Sequence, residues 1–179
     1  MTDTRPNDDV TMVRAHLDDI PSFSLPPPYT LRLYEPGDEE CWRAIQADSD
    51  EFNDITPQTF RKEFGWDEEE IARRQWYLCD EEGRAIGTST AWFDDTFEGA
   101  RWGQVHWVAI IPKYQGEGLS KPLITLTLRT MRDLGDDRAF LYTSTGRIPA
   151  IKLYLQYGFA PLKTLDTDRR AWDKIRDEI

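Results

Sequence analysis

Apolar residues follow two rhythms along this chain. In "YTLRLYE", beginning at Tyr29, and in "QVHWVAII" they alternate with polar residues or crowd together with β-branched and aromatic neighbours, which predicts strands. "QWYLCDEEGRAIGTSTAWFDD" reads as two strands of a hairpin joined around Glu82-Gly83, with "EGARWG" as the next turn. The rhythm then changes. In "LSKPLITLTLRTMRDLG" the residues Leu119, Leu123, Leu126 and Met131 or Leu134 recur near helical spacing. Pro122 is tolerated in the first turn of that helix and Gly135 ends it. Earlier, "PGDEECWRAIQADSD" predicts a helix opened by acidic residues, which the helix macrodipole favours. "TPQTFRKEFGW" predicts a second, with Thr56 as N-cap and Pro57 at the first helical position. "RAFLYTST" predicts a strand, "IPAIKLYLQYG" a short helix closed by Gly158, and "FAPLKTLD" a last strand.

That order is strand, two helices, a three-strand meander, helix, strand, helix, strand. It predicts a mixed α/β sheet covered on both faces, and not a doubly wound one. Residues 1–28 read as an extended arm ending in "IPSFSLPPPY", whose three consecutive prolines forbid helix and favour polyproline II. Ile20, Phe23 and Leu25 are apolar, so part of the arm is expected to pack on the domain. Residues 29–166 form the expected domain, and 167–179, "TDRRAWDKIRDEI", a terminal helix. No internal repeat or low-complexity tract interrupts them.

Composition narrows the function classes. With 39% hydrophobic and 31% charged residues the chain has a soluble globular profile. A formal net charge of −11 would repel nucleic-acid phosphates and is compatible with a cationic acceptor. No stretch approaches the roughly 18 apolar residues of a membrane span. The acidic start "MTDTRPNDDVTMVRAHLDDI" lacks the apolar core of a signal peptide, so a cytoplasmic location is expected. Cys41 and Cys79 form no CxxC pair and read as reduced, buried, apolar groups. With only His16 and His106 available, no histidine-based zinc site and no metal are expected.

The strongest chemical signal is "PKYQGEGLSKPL", Pro112 to Leu123. Gly116 and Gly118 stand two apart between a strand and a helix, where backbone either needs φ > 0 or approaches something closely. A glycine-rich turn entering a helix N-terminus can aim N–H groups at an anion. Lys113 and Lys121 flank it, a positive island in a negative chain. On these residues alone, an anion cradle and a merely flexible turn stand as equal readings. The P-loop ending GK[ST] is absent, and the dinucleotide fingerprint lacks its third glycine.

With its element order, the chain resembles the GNAT superfamily of N-acetyltransferases. The superfamily's first signature is met by Gln115, Gly118 and Ser120, with Ser120 replacing the usual Gly or Ala; Ser is nearly as small and can cap a helix. The second is met by Ala150, Tyr154, Gly158 and Phe159. The match runs from about Tyr29 to Asp166. It implies an acyl-CoA N-acyltransferase fold, mostly antiparallel and splayed between the fourth and fifth strands. It further implies acetyl-CoA as cosubstrate, its pyrophosphate cradled by Gln115, Gly116, Glu117, Gly118, Leu119, Ser120 and Lys121. The strand "WVAII" would carry the pantetheine arm along Val108, Ala109 and Ile110, beside a bulge. The N–H near Ile110 would hold the oxyanion.

By the same resemblance the chain acts as an N-acetyltransferase with direct transfer, Tyr154 matching the family's acid. Core packing is the plainer alternative for Tyr154. For the base, the matching strand positions are Gln104 and His106, which share a face; His106 is the residue able to take a proton, and a packing role is its alternative. Asp94, Asp95 and Glu98 are the fallback acids. Arg147 stands where relatives carry a cofactor-contacting Asn, and is expected either to reach a phosphate or to be replaced in that contact by Ser144 and Thr145. Trp92, Trp102 and Trp107 either line an acceptor pocket or pack and cover the core. The acceptor, a small-molecule or peptide amine, is expected to bind between the early helices, the "DDTFEGARWG" turn and the arm. A non-catalytic acyl-CoA sensor of the same fold is the rival class, and no residue decides whether the chain forms a homodimer.

Overall fold

The structure, a computed structural model, describes residues 7–179. Seven strands pair into one sheet: β1 (Asp9–Arg14), β2 (Thr30–Leu33), β3 (Gln75–Cys79), β4 (Ala85–Asp94), β5 (Trp102–Ile110), β6 (Ala139–Ser144) and β7 (Ala160–Pro161). Their spatial order is β2-β3-β4-β5-β6-β1-β7, antiparallel throughout except at β5 and β6. Six helices accompany them: α1 (Glu39–Ser49), α2 (Thr59–Phe64), α3 (Glu68–Ala72), α4 (Ser120–Asp133), α5 (Ile148–Gln156) and α6 (Asp166–Lys174). One core is aromatic, with Trp42, Phe60, Phe64 and Tyr77 under α1 and α2. A second gathers Met12, Ile124, Leu128, Ile151 and Trp172 from β1, α4, α5 and α6, and a third holds Leu78, Ile86, Ile110 and Leu119.

The arm expected over residues 1–28 is corrected over 9–14, while its first six residues lie outside the described ones. Asp9–Arg14 is an inner strand, antiparallel to β6 from Asp9↔Ser144 to Arg14↔Ala139, with β7 on its other edge. Val10 and Met12 point into the core, and Arg14 follows them at the same parity. A charged residue at a core-facing position disguised the alternation. Its guanidinium is satisfied by the carbonyls of His16 (2.7 Å), Asp19 (2.8 Å) and Tyr157. Burial pulls the Arg14 pKa below its usual value, against the pull of Asp19 and Asp18. Beyond β1 the chain straps over α4: the Thr125 hydroxyl donates to the Pro21 carbonyl (2.9 Å) and Arg129 donates to the Ser22 hydroxyl (2.8 Å). Trp172 of α6 joins the same core as Met12, so the terminal helix covers β1.

Because Met12 is wholly buried, Met12→Ala should cost about 2–5 kcal/mol of stability. Chemical denaturation measures this directly. A loss under about 0.5 kcal/mol, typical of a surface position, would mean that β1 is a detachable arm.

Smaller differences have local causes. α2 begins at Thr59 and not Pro57, because the Thr56 N–H is taken by the Thr59 hydroxyl (2.9 Å) and Thr56 caps nothing. The unforeseen α3 is capped by Asp67, whose carboxylate accepts from the Glu70 N–H (3.0 Å). β7 is only Ala160–Pro161, an edge strand: the Leu162 N–H still donates to the Thr11 carbonyl (2.9 Å), and Pro161, which has no N–H, turns its nitrogen to the open edge. Cys79 is buried as expected, but Cys41 is exposed on α1.

The expected splay is observed between β5 and β6, the fourth and fifth strands if β1 is left out. They pair, in parallel, only at Gly103↔Ala139 and Gln104↔Phe140. Beyond that point they diverge, and the gap between them holds the site.

Candidate active site

The glycine-rich turn is built by its backbone. Gly116 and Gly118 have φ of 83° and 77°. A Cβ on either would meet nothing within 4 Å, so the left-handed conformation, and not crowding, calls for glycine. The backbone N–H groups of Gly116, Glu117, Gly118 and Leu119 donate to no carbonyl among the described residues. Ser120 is the first residue of α4, and no side chain caps that helix, so the capping expected of Ser120 does not occur. A row of free donors at a helix N-terminus results.

Glu117 would oppose an anion there, but its carboxylate is drawn aside by the Tyr29 hydroxyl (2.6 Å). That hydrogen bond is the chief reason that the Tyr29 phenol is pushed up to about 12. Tyr114 is tied back in the same way, donating to Asp80 (3.2 Å). Gln115 does not present its amide to the turn; its Nε2 donates to the Ile110 carbonyl (2.7 Å). Lys121 lines the adjoining cavity with its ammonium 5.1 Å from the Phe23 ring centre, whereas Lys113 rests on Tyr114 outside it. That cavity, about 750 Å³, runs from the turn along Val108, Ala109 and Ile110 to α5.

The edge of β5 is opened by a bulge. Thr88 pairs with Ala109 and Thr90 with His106, so Trp107 and Val108 together oppose a single residue, Ser89. Trp107 has φ 51°, a conformation that costs a large side chain of order 1–3 kcal/mol. Two helices pin it: Gln46 of α1 donates to the Trp107 carbonyl (3.0 Å), and the Trp107 indole donates to Glu63 of α2 (3.0 Å). The Ile111 N–H bonds to Ile86 on β4 (2.9 Å). By alternation, the N–H and carbonyl of Ile110 face the opposite, open side. The carbonyl is occupied by Gln115; the N–H points into the gap.

His106 sits beside this bulge. Its Nδ1 lies 3.0 Å from Gln104 Nε2, as their shared face required, and its Nε2 lies 3.2 Å from Glu63 Oε2. The hydrogen bond from His106 is the main influence holding the Glu63 carboxyl below its usual range; burial works against it and Trp107 reinforces it. A second cavity of about 340 Å³ is lined by Glu63, Gln104 and His106 on one side and by Tyr142 to Ser144 on the other. Tyr154 of α5 lines both cavities. Burial pushes its phenol up to about 12, opposed by Arg147, so the hydroxyl stays protonated at ordinary pH. Arg147 also faces both cavities and is tied to Asp50 (2.7 Å). Burial alone would raise the Asp50 carboxyl, but hydrogen bonds from Arg147, Asn53 and Phe52 hold it below the usual range.

Several expectations separate here. The fallback acids line neither cavity: Asp94 binds the Thr96 N–H (2.7 Å), Asp95 pairs with Arg101 (2.8 Å), and Glu98 lies in the same turn. The "DDTFEGARWG" turn packs on the sheet, with Phe97 stacked on Phe140 at 3.8 Å. Of the three tryptophans, Trp92 packs on Phe64 and Trp102 on Phe97, while Trp107 meets Trp42 at 5.2 Å and also borders the smaller cavity. Thr145 accepts from the Asp8 N–H (2.9 Å), and Ser144 faces the smaller cavity. Sequence reasoning missed Gln46, Glu63 and Asp50. For Glu63 a signal existed: in "TFRKEF" it adjoins Phe60 and Phe64, the apolar stripe of α2.

A loop of free N–H groups beside a splayed strand, with a tyrosine at the meeting of two cavities, makes up the candidate site. The acetyltransferase (GNAT) family model matches residues 39–159, and the chain belongs to that family. Mycothiol acetyltransferase of Thermomonospora curvata is 30% identical over 151 residues, covering 78% of this chain and 47% of that protein. The enzyme of that name from Saccharomonospora viridis is 31% identical over 160 residues, covering 83% and 50%. The chain thus spans about half the length of these curated relatives. Among solved structures, a GCN5-related N-acetyltransferase from Sphaerobacter thermophilus superposes with a TM-score of 0.70 at 20% identity, over 88% of this chain and 50% of that one. The ribosomal-protein-S18-alanine N-acetyltransferase of Escherichia coli gives 0.59 at 20% identity, over 74% and 77%. At such identities the likeness concerns the fold. Acetyl-CoA is the cosubstrate of the family. Among the described residues no cluster of side chains suits a metal ion, and no helix is long and apolar enough to cross a membrane.

Proposed function

We propose that this chain binds acetyl-CoA in the larger cavity and transfers its acetyl group directly to a small-molecule amine in the smaller one. The observation that carries the reading is the meeting of the two cavities at Tyr154, in the gap where β5 leaves β6. The residues fit the cosubstrate. Free N–H groups from Gly116 to Leu119 suit a pyrophosphate, Lys121 adds positive charge, and the Tyr29 hydroxyl keeps Glu117 aside. The open edge at Val108 and Ile110 suits an extended amide-bearing chain, and the Ile110 N–H suits a developing oxyanion.

Two tasks remain for side chains. An amine must arrive unprotonated, because an ammonium has no lone pair for attack. His106 takes that proton, and Glu63, accepting from the far side of the ring, holds the ring in orientation. Tyr154 gives its phenolic proton to the departing thiolate. The name carried by the curated relatives favours a small acceptor over a peptide.

The deciding experiment is release of CoA thiol from acetyl-CoA against pooled amines: amino acids, polyamines, aminoglycosides and short lysine peptides. Release with a small-amine pool is expected. Retained acetyl-CoA binding with no release from any pool would favour an acyl-CoA sensor, and no binding at all would return the glycine turn to a structural role.

A further inference from the structure

The lining of the smaller cavity describes its occupant. Three carboxylates reach it from three directions: Glu63 from α2, Asp50 from the end of α1, and Asp9 from the start of β1. The one guanidinium on the wall, Arg147, is held by Asp50, and so offers no free positive charge to an acidic ligand. Glu63 accepts from His106 and Trp107. Asp9 is exposed and has no ion-pair partner among the described residues. Beside it, across the β1–β6 pairing, stands Ser144. Ser144 is 5% exposed and lines the cavity, yet its hydroxyl has no hydrogen-bond partner among the described residues. A buried donor without a partner, next to an unpaired carboxylate, is an incomplete polar site.

Position then sets the spacing. β6 lies between β5 and β1. Two strand spacings of about 4.8 Å put Asp9 roughly 10 Å from His106 across the sheet, and the divergence of β5 from β6 adds to that. A chain of about four or five carbons, with an amine hydrogen-bonded at each end, covers roughly such a span.

We infer that the acceptor is a compact dication, an amine whose second cationic group is received by Asp9 and the Ser144 hydroxyl while the first lies at His106 and Tyr154. Asp9 thereby selects against acceptors that carry a carboxylate at the far end. This rests on the transfer reading above and goes beyond it by naming the acceptor class and the residue that distinguishes it.

The test compares three amines of one length with the full chain and acetyl-CoA: 1,4-diaminobutane, butylamine and 4-aminobutanoate. The expected kcat/KM order is diamine, then monoamine, then amino acid, with about tenfold at each step. Asp9→Asn should bring the diamine-to-monoamine ratio down about tenfold. Asp9→Lys should reverse the preference between diamine and aminobutanoate, which no general loss of folding would do. Equal use of diamine and butylamine, preference for aminobutanoate, or a ratio untouched by Asp9→Asn would overturn the inference while leaving transfer itself standing. Bound acetyl-CoA with no transfer to any of the three would overturn this inference, and the pooled-amine screen then decides transfer itself.

Discussion

Replacing Tyr154 with Phe should lower kcat by about 100-fold or more while leaving acetyl-CoA affinity within about twofold, since a positioned general acid contributes on the order of 10²–10⁴. The substitution removes one oxygen and its proton. Among the described residues that hydroxyl makes no hydrogen bond to the protein, and the ring stays packed near Phe159 (5.9 Å), so the fold should tolerate the change. The phenol's elevation to about 12 by burial has a definite sign. The neutral, donating form is favoured at every working pH, and no loss of rate from ionisation of Tyr154 should appear below about pH 10, the ordinary tyrosine value. Stopped-flow or steady-state thiol release across pH, with acetyl-CoA titration of both proteins, measures all three quantities. An unchanged kcat would take Tyr154 out of the chemistry and leave it as packing between two cavities.

What could be read from the sequence was whatever local chemistry decides. Gly116 and Gly118 need positive φ wherever the chain is, and the strand and helix rhythms around them place the turn between β5 and α4. Parity alone put Gln104 and His106 on one face, 3.0 Å apart. Residues whose role depends on distant partners were hidden. Arg14 looks like a surface charge until carbonyls from His16, Asp19 and Tyr157 surround it, and with it β1 was lost from the sheet and Asp9 from the site. Glu63 looks like one more acid in an acidic chain; the bulge at Trp107 is what turns His106 and the indole toward it. Gln115 matched its signature, but its side chain caps the Ile110 carbonyl, a contact that only the closing of the loop creates.

The second large effect is expected at the His106–Glu63 pair, and its geometry says which atom acts. A carboxylate can only accept, so the His106 nitrogen facing Glu63, Nε2, carries the proton, and the lone pair resides on Nδ1 beside the Gln104 amide. Nδ1 is therefore the atom that takes the acceptor's proton, and Gln104 must yield its contact when it does. His106→Gln should reduce kcat/KM by about 100-fold. Glu63→Gln can offer the ring a donor as well as an acceptor, so the tautomer is no longer fixed, and should cost about tenfold, in kcat and not in acetyl-CoA binding. The two losses should be far from additive, because residues acting as one unit fail together. Stability gives an independent readout. The folded Glu63 carboxyl lies below its ordinary range, chiefly through His106. Its contribution is thus present above the unfolded glutamate value of about 4.3 and is lost as pH falls through the lower folded value. Wild-type Tm should accordingly fall more steeply between about pH 5 and pH 3 than that of Glu63→Gln. Parallel Tm curves would separate Glu63 from His106 energetically, and full activity in His106→Gln would move the base elsewhere in the cavity.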